Sequence, residues 1–488
     1  MSETNRTKLG YVMESTWGTT PASPAFKNLR ITSMPDLSSN PVTKVSNELR
    51  SDRNVPDSIL VDYDAGGSFG FEMSFNAMPD IYKMALFNAW TAQTVDTTAT
   101  EVVANTKTIT VAADGDTKFP ANSMVWLSGF SNSTNNGFKT VDSSTATTVV
   151  VDQTMADETS TSGVITFIGL EAPAGIVTST TASEDTGGYA LRSSNTTTID
   201  FTDFFGNVGI GDWIYIGAGG GNYGFAAGNG FARVSGTITD DNIPLDIVPT
   251  GFTTDLATTK TIRISVGDSL YNGVTRYSCT LEQQFQDHTS PLYGVFPGAV
   301  VNNLQMTLNA ADIAMGTVSF MTKAPTFSTT RTASASDVSA AAYDVLNTSS
   351  NVASIIEGSG PLTTNYALSA SITVDNSLRK RNAIGTIGPY DVRAGRCNVS
   401  GTINTSFEDK TLFDKLLNNT ATGFMTVMRD SIGQCFLIDI PKLKYTSGNP
   451  SIGGIDQDVD LSLGFQGLLH STYGYTIKIM QFHYLPSA

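Results

Sequence analysis

The sequence predicts a mainly β protein made of two duplicated β-rich units, each with a short flanking helix, the first interrupted by two small all-β modules. Three observations carry this. Gly, Ser, Thr and Asn are heavily used while charged residues make up only 15% of the chain, which suits short strands joined by tight turns. Apolar residues alternate along many short runs, the period of a half-buried strand. A charged phrase is also written twice: VSNELRSDRN at 45–54 and VDNSLRKRN at 374–382 share Val, Asn, Leu, Arg, a second Arg and a final Asn in the same order.

With 488 residues the chain exceeds one ordinary core, because domains generally split beyond about 200 residues. Both copies of the phrase lead into the same succession of elements. After Asn54 come Ala65-Gly66-Gly67 and SFGFEMSF, which puts Phe69, Phe71, Met73 and Phe75 on one face of a strand. After Asn382 come Ala394-Gly395 and RCNVSGTI, with Asn404 matching Asn76. Each strand then meets a helix. MPDIYKMALFNAW has Pro79 and Asp80 where a first turn tolerates a missing N–H and favours a carboxylate. SFEDKTLFDKLLNN offers Ser406 as N-cap and an apolar stripe of Leu412, Phe413, Leu416 and Leu417.

Beyond the helices the echo continues. YSCTLEQQF, VVNNLQMTL and IAMGTVSFM, within 277–321, are answered by FMTVMRD, CFLIDIPKLKY and DVDLSLGFQGL, within 424–468. The expected division is therefore 1–92 with 270–326 as a split first unit, 327–359 as a linker, and 360–488 as the second unit.

The interrupting segment is itself duplicated, as modules at 93–190 and 191–269. A Thr-rich strand, a Trp-containing strand and an Asn-Gly-Phe step recur, matching Trp126 with Trp213 and Phe138 with Phe231. Insertions of this kind survive where chain ends lie close together on a surface. Asn135, Asn136, Asn222, Tyr223 and Asn229 are the residues expected to be exposed on its loops.

Several function classes lose support. A net charge of −16 argues against gripping nucleic acid, since phosphate affinity comes mainly from Lys and Arg. The acidity is concentrated: residues 95–265 hold 18 acidic and 7 basic side chains, a net of −11. No run approaches the 18 to 20 apolar residues of a membrane-spanning helix, and MSETNRTKLG has no apolar signal segment, so synthesis in a cytoplasm is expected. Cys279, Cys397 and Cys435 lack metal or disulfide spacing and read as buried free thiols.

GAGGGNYG, 217–224, lacks the Gly-Lys-Ser/Thr of a phosphate loop and no helical pattern follows it. His288, His470 and His483 are solitary, Asp456, Asp458 and Asp460 lack the Gly and Glu of a calcium loop, and Glu184-Asp185 and Asp240-Asp241 sit in Thr/Gly loops. No catalytic, metal or cofactor site is expected, and no cofactor. The repeated phrase is different in kind: exposed loops tolerate change, yet two diverged halves kept this one.

The ordered set YVMESTWGTTPASPAFKNLRIT, NELRSDRN, the Gly-Gly turn, SFGFEMSF, DIYKMALFNAW, YSCTLEQQF and VVNNLQMTLNAADIAMGTVSFM resembles the tail tube proteins, or major tail proteins, of long-tailed, non-contractile bacteriophages. The resemblance covers about 9–92 and 270–325 directly. It reaches the C-terminal unit through the internal match and leaves out the insertion. It implies β-sandwich units flanked by a helix and closed into six-fold rings, which stack into a tube that carries DNA during ejection. Two units in one chain then imply three chains per ring with pseudo-six-fold symmetry, in preference to a hexamer.

Implied partners are further copies of the chain, tape-measure and tail terminator or tail tip proteins, and DNA in transit without tight binding. No membrane partner and no enzymatic activity are implied, and the expected location is the virion tail. Glu48, Arg50, Asp52 and Arg53, of mixed sign, and the all-basic Arg379, Lys380 and Arg381 are the inter-ring or inter-subunit contact candidates. A second reading makes the insertion an adhesion module for a host glycan or filament. A third, a polysaccharide-processing enzyme, needs a carboxylate pair in an aromatic cleft, and no such grouping is visible in the sequence.

Overall fold

The computed structural model describes residues 6–33, 37–52, 54–92, 96–181, 188–217, 222–287, 289–358, 360–362, 365–452 and 458–485. The chain begins with β1 (Thr7–Met13), β2 (Ala25–Asn28), β3 (Ser38–Val45), β4 (Ser58–Glu72) and helix α1 (Pro79–Leu86). The insertion holds β5 (Asp96–Val103), β6 (Thr108–Val111), α2 (Gly115–Lys118), β7 (Ser123–Ser128), β8 (Gly137–Thr145), β9 (Thr148–Val151) and β10 (Glu158–Ala172). It continues with β11 (Val177–Thr180), β12 (Tyr189–Ser193), α3 (Phe201–Phe205), β13 (Trp213–Ile216), β14 (Gly230–Val234), β15 (Asn242–Ile247) and β16 (Ile262–Ser265).

After it come β17 (Asp268–Tyr271), β18 (Cys279–Phe285), β19 (Leu292–Asn309), β20 (Met315–Met321), β21 (Thr326–Ser328) and β22 (Ser336–Val338). The last stretch holds β23 (Val352–Glu357), β24 (Gly360–Pro361), β25 (Ala367–Asp375), β26 (Arg379–Arg381), β27 (Asp391–Arg393) and β28 (Asn398–Ser406). It ends with α4 (Thr411–Leu417), β29 (Thr422–Arg429), β30 (Cys435–Ser451), β31 (Asp460–Gly467) and β32 (Lys478–Phe482).

One antiparallel sheet runs β3–β4–β20–β19–β25–β28–β31–β30. Its first four strands come from one half of the duplication and its last four from the other, joined edge to edge by β19 and β25. Each half is backed by a second layer: β2–β1–β18–β19 in the first, β24–β23–β29–β30–β32 in the second. The long strands β19 and β30 pass from one layer to the other, so each half is a sandwich whose corner is a single continuous strand. Apolar side chains on alternate positions, such as Phe69, Phe71, Leu304, Met306, Ile372, Val374, Ile403 and Leu463, meet in one core shared by both halves.

The second layers are joined as well. β32 pairs with β30 on one edge and with β17, where the chain returns from the insertion, on the other. The connection at 327–345 also lies on the first sandwich: β21 pairs with β19 and β22 runs parallel to β2. There Arg331 forks onto the buried Glu282 at 2.6 Å.

In the insertion β10, β5, β6, β9, β8 and β7 close into a barrel. β10 then continues past the end of β5 to pair on that edge with β16, which begins an open sheet β16–β13–β14–β15–β12–β11. Gly169 marks the handover: a Cβ there would lie 2.1 Å from the carbonyl oxygen of Ile264. The two modules thus share β10 and one apolar cluster, from Ala99 to Val266.

α1 begins at Pro79 with Asp80 in its first turn, as its sequence requires. The start of α4 differs from expectation. Ser406 closes β28 and its hydroxyl accepts the N–H of Tyr366 at 3.0 Å. The helix starts at Thr411, whose N–H goes to Asp409 at 2.8 Å; pairing with Asp460 of β31 on one side and a backbone hydrogen bond to Tyr366 on the other hold Ser406 extended. Cys279 and Cys435 are buried and Cys397 half-buried, all as free thiols.

The insertion is clamped to the second sandwich through one face of β32. Ile477 and Ile479 enter the shared core, and the alternate residues point at the insertion. Lys478 Nζ meets Asp212 Oδ1 at 2.5 Å with both side chains 3% exposed. Met480 Sδ accepts the N–H of Trp213, Phe482 packs on Phe231, and Tyr484 stacks on Trp126 at 4.7 Å. Beside them Tyr475 donates to Asp439 at 3.1 Å and Arg233 forks onto Asp246 at 2.8 Å. Burial pushes the Asp439 carboxyl upward against the opposing pull of Arg233 and Lys478. Removing one partner of a buried ion pair strands the other charge. Lys478→Met should therefore lower unfolding free energy by about 3–5 kcal/mol in denaturant titration, and adding Asp212→Asn should recover much of that loss.

Candidate assembly interface

The two copies of the charged phrase leave corresponding strands: Val45 ends β3, and Val374 lies next to the end of β25. From there they differ. In the second copy the buried Asn376 donates its amide to the carbonyls of Ala85 at 2.9 Å and Val301 at 3.0 Å. Ala85 belongs to the last turn of α1, whose carbonyls need partners from outside the helix. Leu378 donates its N–H to Asn302 Oδ1 at 2.9 Å and is 7% exposed, packed with Phe87, Val300 and Val392.

Arg379, Lys380 and Arg381 then form β26, with Lys380 opposite Val392 and Arg381 opposite Asp391 in β27. Lys380 pairs with Asp64, and Asn382 donates to Asp62 at 2.6 Å. The second copy is thus docked on the first sandwich of its own chain, and the acids it meets are those of β4. Arg379 and Arg381 remain exposed.

The first copy is the tip of the β3–β4 hairpin. Arg50 forks onto Asp52 at 3.0 and 2.7 Å and lies 4.0 Å from Glu48, all within one exposed loop. The Arg50 guanidinium, helped by the Asn54 N–H, holds the Asp52 carboxyl at about 2. Arg53 lies outside the described residues, as do Glu184, Asp185, His288, Asp456 and Ala218 to Gly221. Leu49 is fully exposed, and Val42, Val45, Ile59 and Val61 of the same hairpin are at least 40% exposed. One edge of β3 pairs with β4. On β30, residues 443–451 pair with β31, while on the other side the β29 ladder reaches only Leu443.

A family model described as phage tail tube protein matches residues 4–467. The chain belongs to the phage tail tube family. No curated protein matches it. As a tail tube protein it is a structural component of the virion tail, and among the described residues no helix is long and apolar enough to cross a membrane.

The insertion of this tail tube protein corrects one expectation outright. Asn135 is fully buried, not exposed: its amide donates to the Ala156 carbonyl and to Glu158, both at 2.9 Å, and accepts the Ala156 N–H at 2.8 Å. The loop folds around it because a short side-chain amide can satisfy several backbone groups at once. Asn136 is half-buried, with its amide clamping both the N–H and the carbonyl of Phe130 at 3.1 and 2.8 Å. Asn229 clamps Phe225 in the same way at 2.9 and 2.8 Å while remaining exposed. The recurring Phe…Asn-Gly-Phe pattern therefore marks a loop closed by its own amide, a signal present in the sequence.

Asn222 is exposed, and Tyr223 lies 3.6 Å from Arg263, which is also ion-paired to Glu171 at 2.6 Å. The Trp correspondence shifts as well. Trp126 is opposite Phe138, but Phe231 is opposite Tyr215, two residues past Trp213, because the two loops differ in length.

Among the described residues no cluster of His, Cys, Asp and Glu could hold a metal. His483 faces Asp268 at 3.3 Å and His470 stacks on Tyr473. Asn135→Ala should cost about 1–3 kcal/mol, the desolvation of its orphaned partners, read as a lower thermal midpoint. By NMR, Asp52 should titrate near 2. Because its folded pKa is depressed, the loop contact is intact above the ordinary carboxylate pKa of about 3.9 and is lost as pH falls through about 2. Arg50→Gln should return the carboxyl toward about 3.9.

Proposed function

We propose that this chain is the repeating unit of a hollow tail tube, assembled as rings of three chains with pseudo-six-fold symmetry. The rings stack and conduct DNA during ejection. The observation that carries the reading is the sheet β3–β4–β20–β19–β25–β28–β31–β30, in which two equivalent half-sheets join edge to edge and leave one edge of each kind, β3 and β30, at the ends. Unpaired edges seek strands, and a head-to-tail contact that repeats by rotation closes into a ring.

In this reading residues 1–92 with 270–326 and residues 360–488, joined by β23, are the tube units, and the earlier part of 327–359 straps them together. The inserted segment 93–269 forms an appendage outside the tube. The sheet face away from the core then lines the channel. The six central strands, β4, β20, β19, β25, β28 and β31, contain no Lys or Arg, but they contain Asp62, Asp64, Glu72, Asp375 and Asp460. Ser, Thr, Asn and Gln fill most of the other outward positions. Apart from Asp62 and Asp64, which hold Asn382 and Lys380, these acids repel phosphates at short range, within about 10 Å at 0.1 M salt, and the six strands themselves offer passing DNA no cation to hold.

A tape-measure protein would occupy the bore before DNA does, and terminator and tip proteins would meet the end rings. Synthesis in the host cytoplasm fits this assembly route. The adhesion reading needs free aromatic side chains on the insertion. We set it aside because Trp126, Trp213 and Phe231 pack against Tyr484, Met480 and Phe482. End-on electron micrographs of tubes formed by the purified chain test the stoichiometry. Three projections per ring are expected, and six would overturn it.

A further inference from the structure

The duplicated phrase is docked in one copy through Asn376 and Leu378, whereas the matching Asn47 and Leu49 of the other are exposed. We propose that Asn47 and Leu49 of one chain dock on the second sandwich of a neighbouring copy, at the site homologous to the one where Asn376 and Leu378 dock on the first sandwich. The partner is a second copy of this chain, so the proposal rests on the tube reading.

The receiving site is located by a bulge that the two halves share. Between β19 and β20 the register passes from Val301↔Phe320 to Asn303↔Ser319, leaving out Asn302. Between β30 and β31 it passes from Tyr445↔Phe465 to Ser447↔Gly464, leaving out Thr446. Bulges are kept within families as structural features, so Thr446 corresponds to Asn302. Asn302 is the residue that holds the second copy, accepting the N–H groups of Asn376 at its carbonyl and of Leu378 at its side chain. Thr446 is exposed.

The strands that bring the phrase to its site correspond in the same way. In the chain, β25 delivers Asn376 by pairing with β19, with Thr373 opposite Gln305 and Val374 opposite Leu304. Transferring that register to the open edges places Lys44 opposite Asn449 and Val45 opposite Gly448 of the next copy. Pro450 in this edge has no N–H to donate, which leaves a gap in the ladder and discourages indiscriminate pairing. Beyond the ladder, Leu49 takes the place of Leu378. Lys444 stands where Val300 stands in the first site, so its aliphatic stem covers Leu49 while its ammonium faces Glu48. Leu417, 66% exposed on the last turn of the helix that packs on β30, completes the apolar ledge.

Leu49→Asp in the full chain is the direct test, because a fully exposed side chain adds nothing to the fold of the isolated chain. The unassembled variant should keep the wild-type thermal midpoint. The concentration needed for half-assembly should rise about tenfold or more, as loss of one buried leucine requires. As a second measurement, Lys44→Cys with Asn449→Cys should give interchain disulfides in assembled protein, since directly opposed residues bring Cβ atoms within about 5.5 Å, and neither single variant should.

Assembly of Leu49→Asp at the wild-type concentration, absence of the cross-link in assembled rings, or normal rings that fail only to stack would each overturn the contact. Rings from wild type and variant alike overturn the contact while the tube reading stands. Absence of rings from the wild-type chain overturns both.

Discussion

The ladder between β19 and β25 is the constraint from which most of this molecule follows. It runs from Asn303↔Asp375 to Asn309↔Ser369 and turns two four-stranded half-sheets into one. A strand edge presents unpaired N–H and carbonyl groups, so a duplicated sheet must cover, blunt or pair it. Among the described residues, pairing inside the chain consumes one edge of each half and leaves β3 and the outer part of β30 at the two ends of the sheet. The core is continuous across the junction for the same reason: Leu304, Met306, Ile372 and Val374 lie side by side on its inner face.

A single ladder allows two sheets to hinge about it. Here a second ladder, β17 with β32, joins the other layer, so the angle between the sandwiches is held on both faces. The insertion shares that joint, since Ser269 of β17 bridges to Thr91 at the point where the chain departs. The buried Lys478–Asp212 pair and the contacts of Met480, Phe482 and Tyr484 then fix the insertion to β32. The junction inside one chain is therefore stiffened by an element that the second half lacks, because α4 passes to β29 through only a short turn. In a ring of three chains, doubly held junctions would alternate with singly held ones.

Much of this was legible along the chain. Alternation in SFGFEMSF and LSLGFQG placed strands, because a sheet with one covered face needs an apolar residue at every second position. Pro79 and Asp80 marked the start of α1 through requirements local to a first turn. Ser406 misled because capping preference is also local, and backbone pairing with Asp460 and Tyr366 outweighed it. Asn135 misled for a related reason: Asn in a Gly-rich loop is usually solvated, and only the folded loop brings Ala156 and Glu158 around it.

The sequence by itself determined the strand-rich architecture, the duplication and the short helices, since periodicity, composition and turn chemistry act over a few residues and need no distant partner. It also determined that the phrase at 45–54 occurs again at 374–382. Only the tertiary structure decided that one copy docks on the rest of the chain while Asn47 and Leu49 of the other stay exposed. That difference depends on Ala85, Val301 and Asn302, which the fold brings to Asn376 and Leu378 from far away in sequence. No local rule records which distant surface a loop will meet.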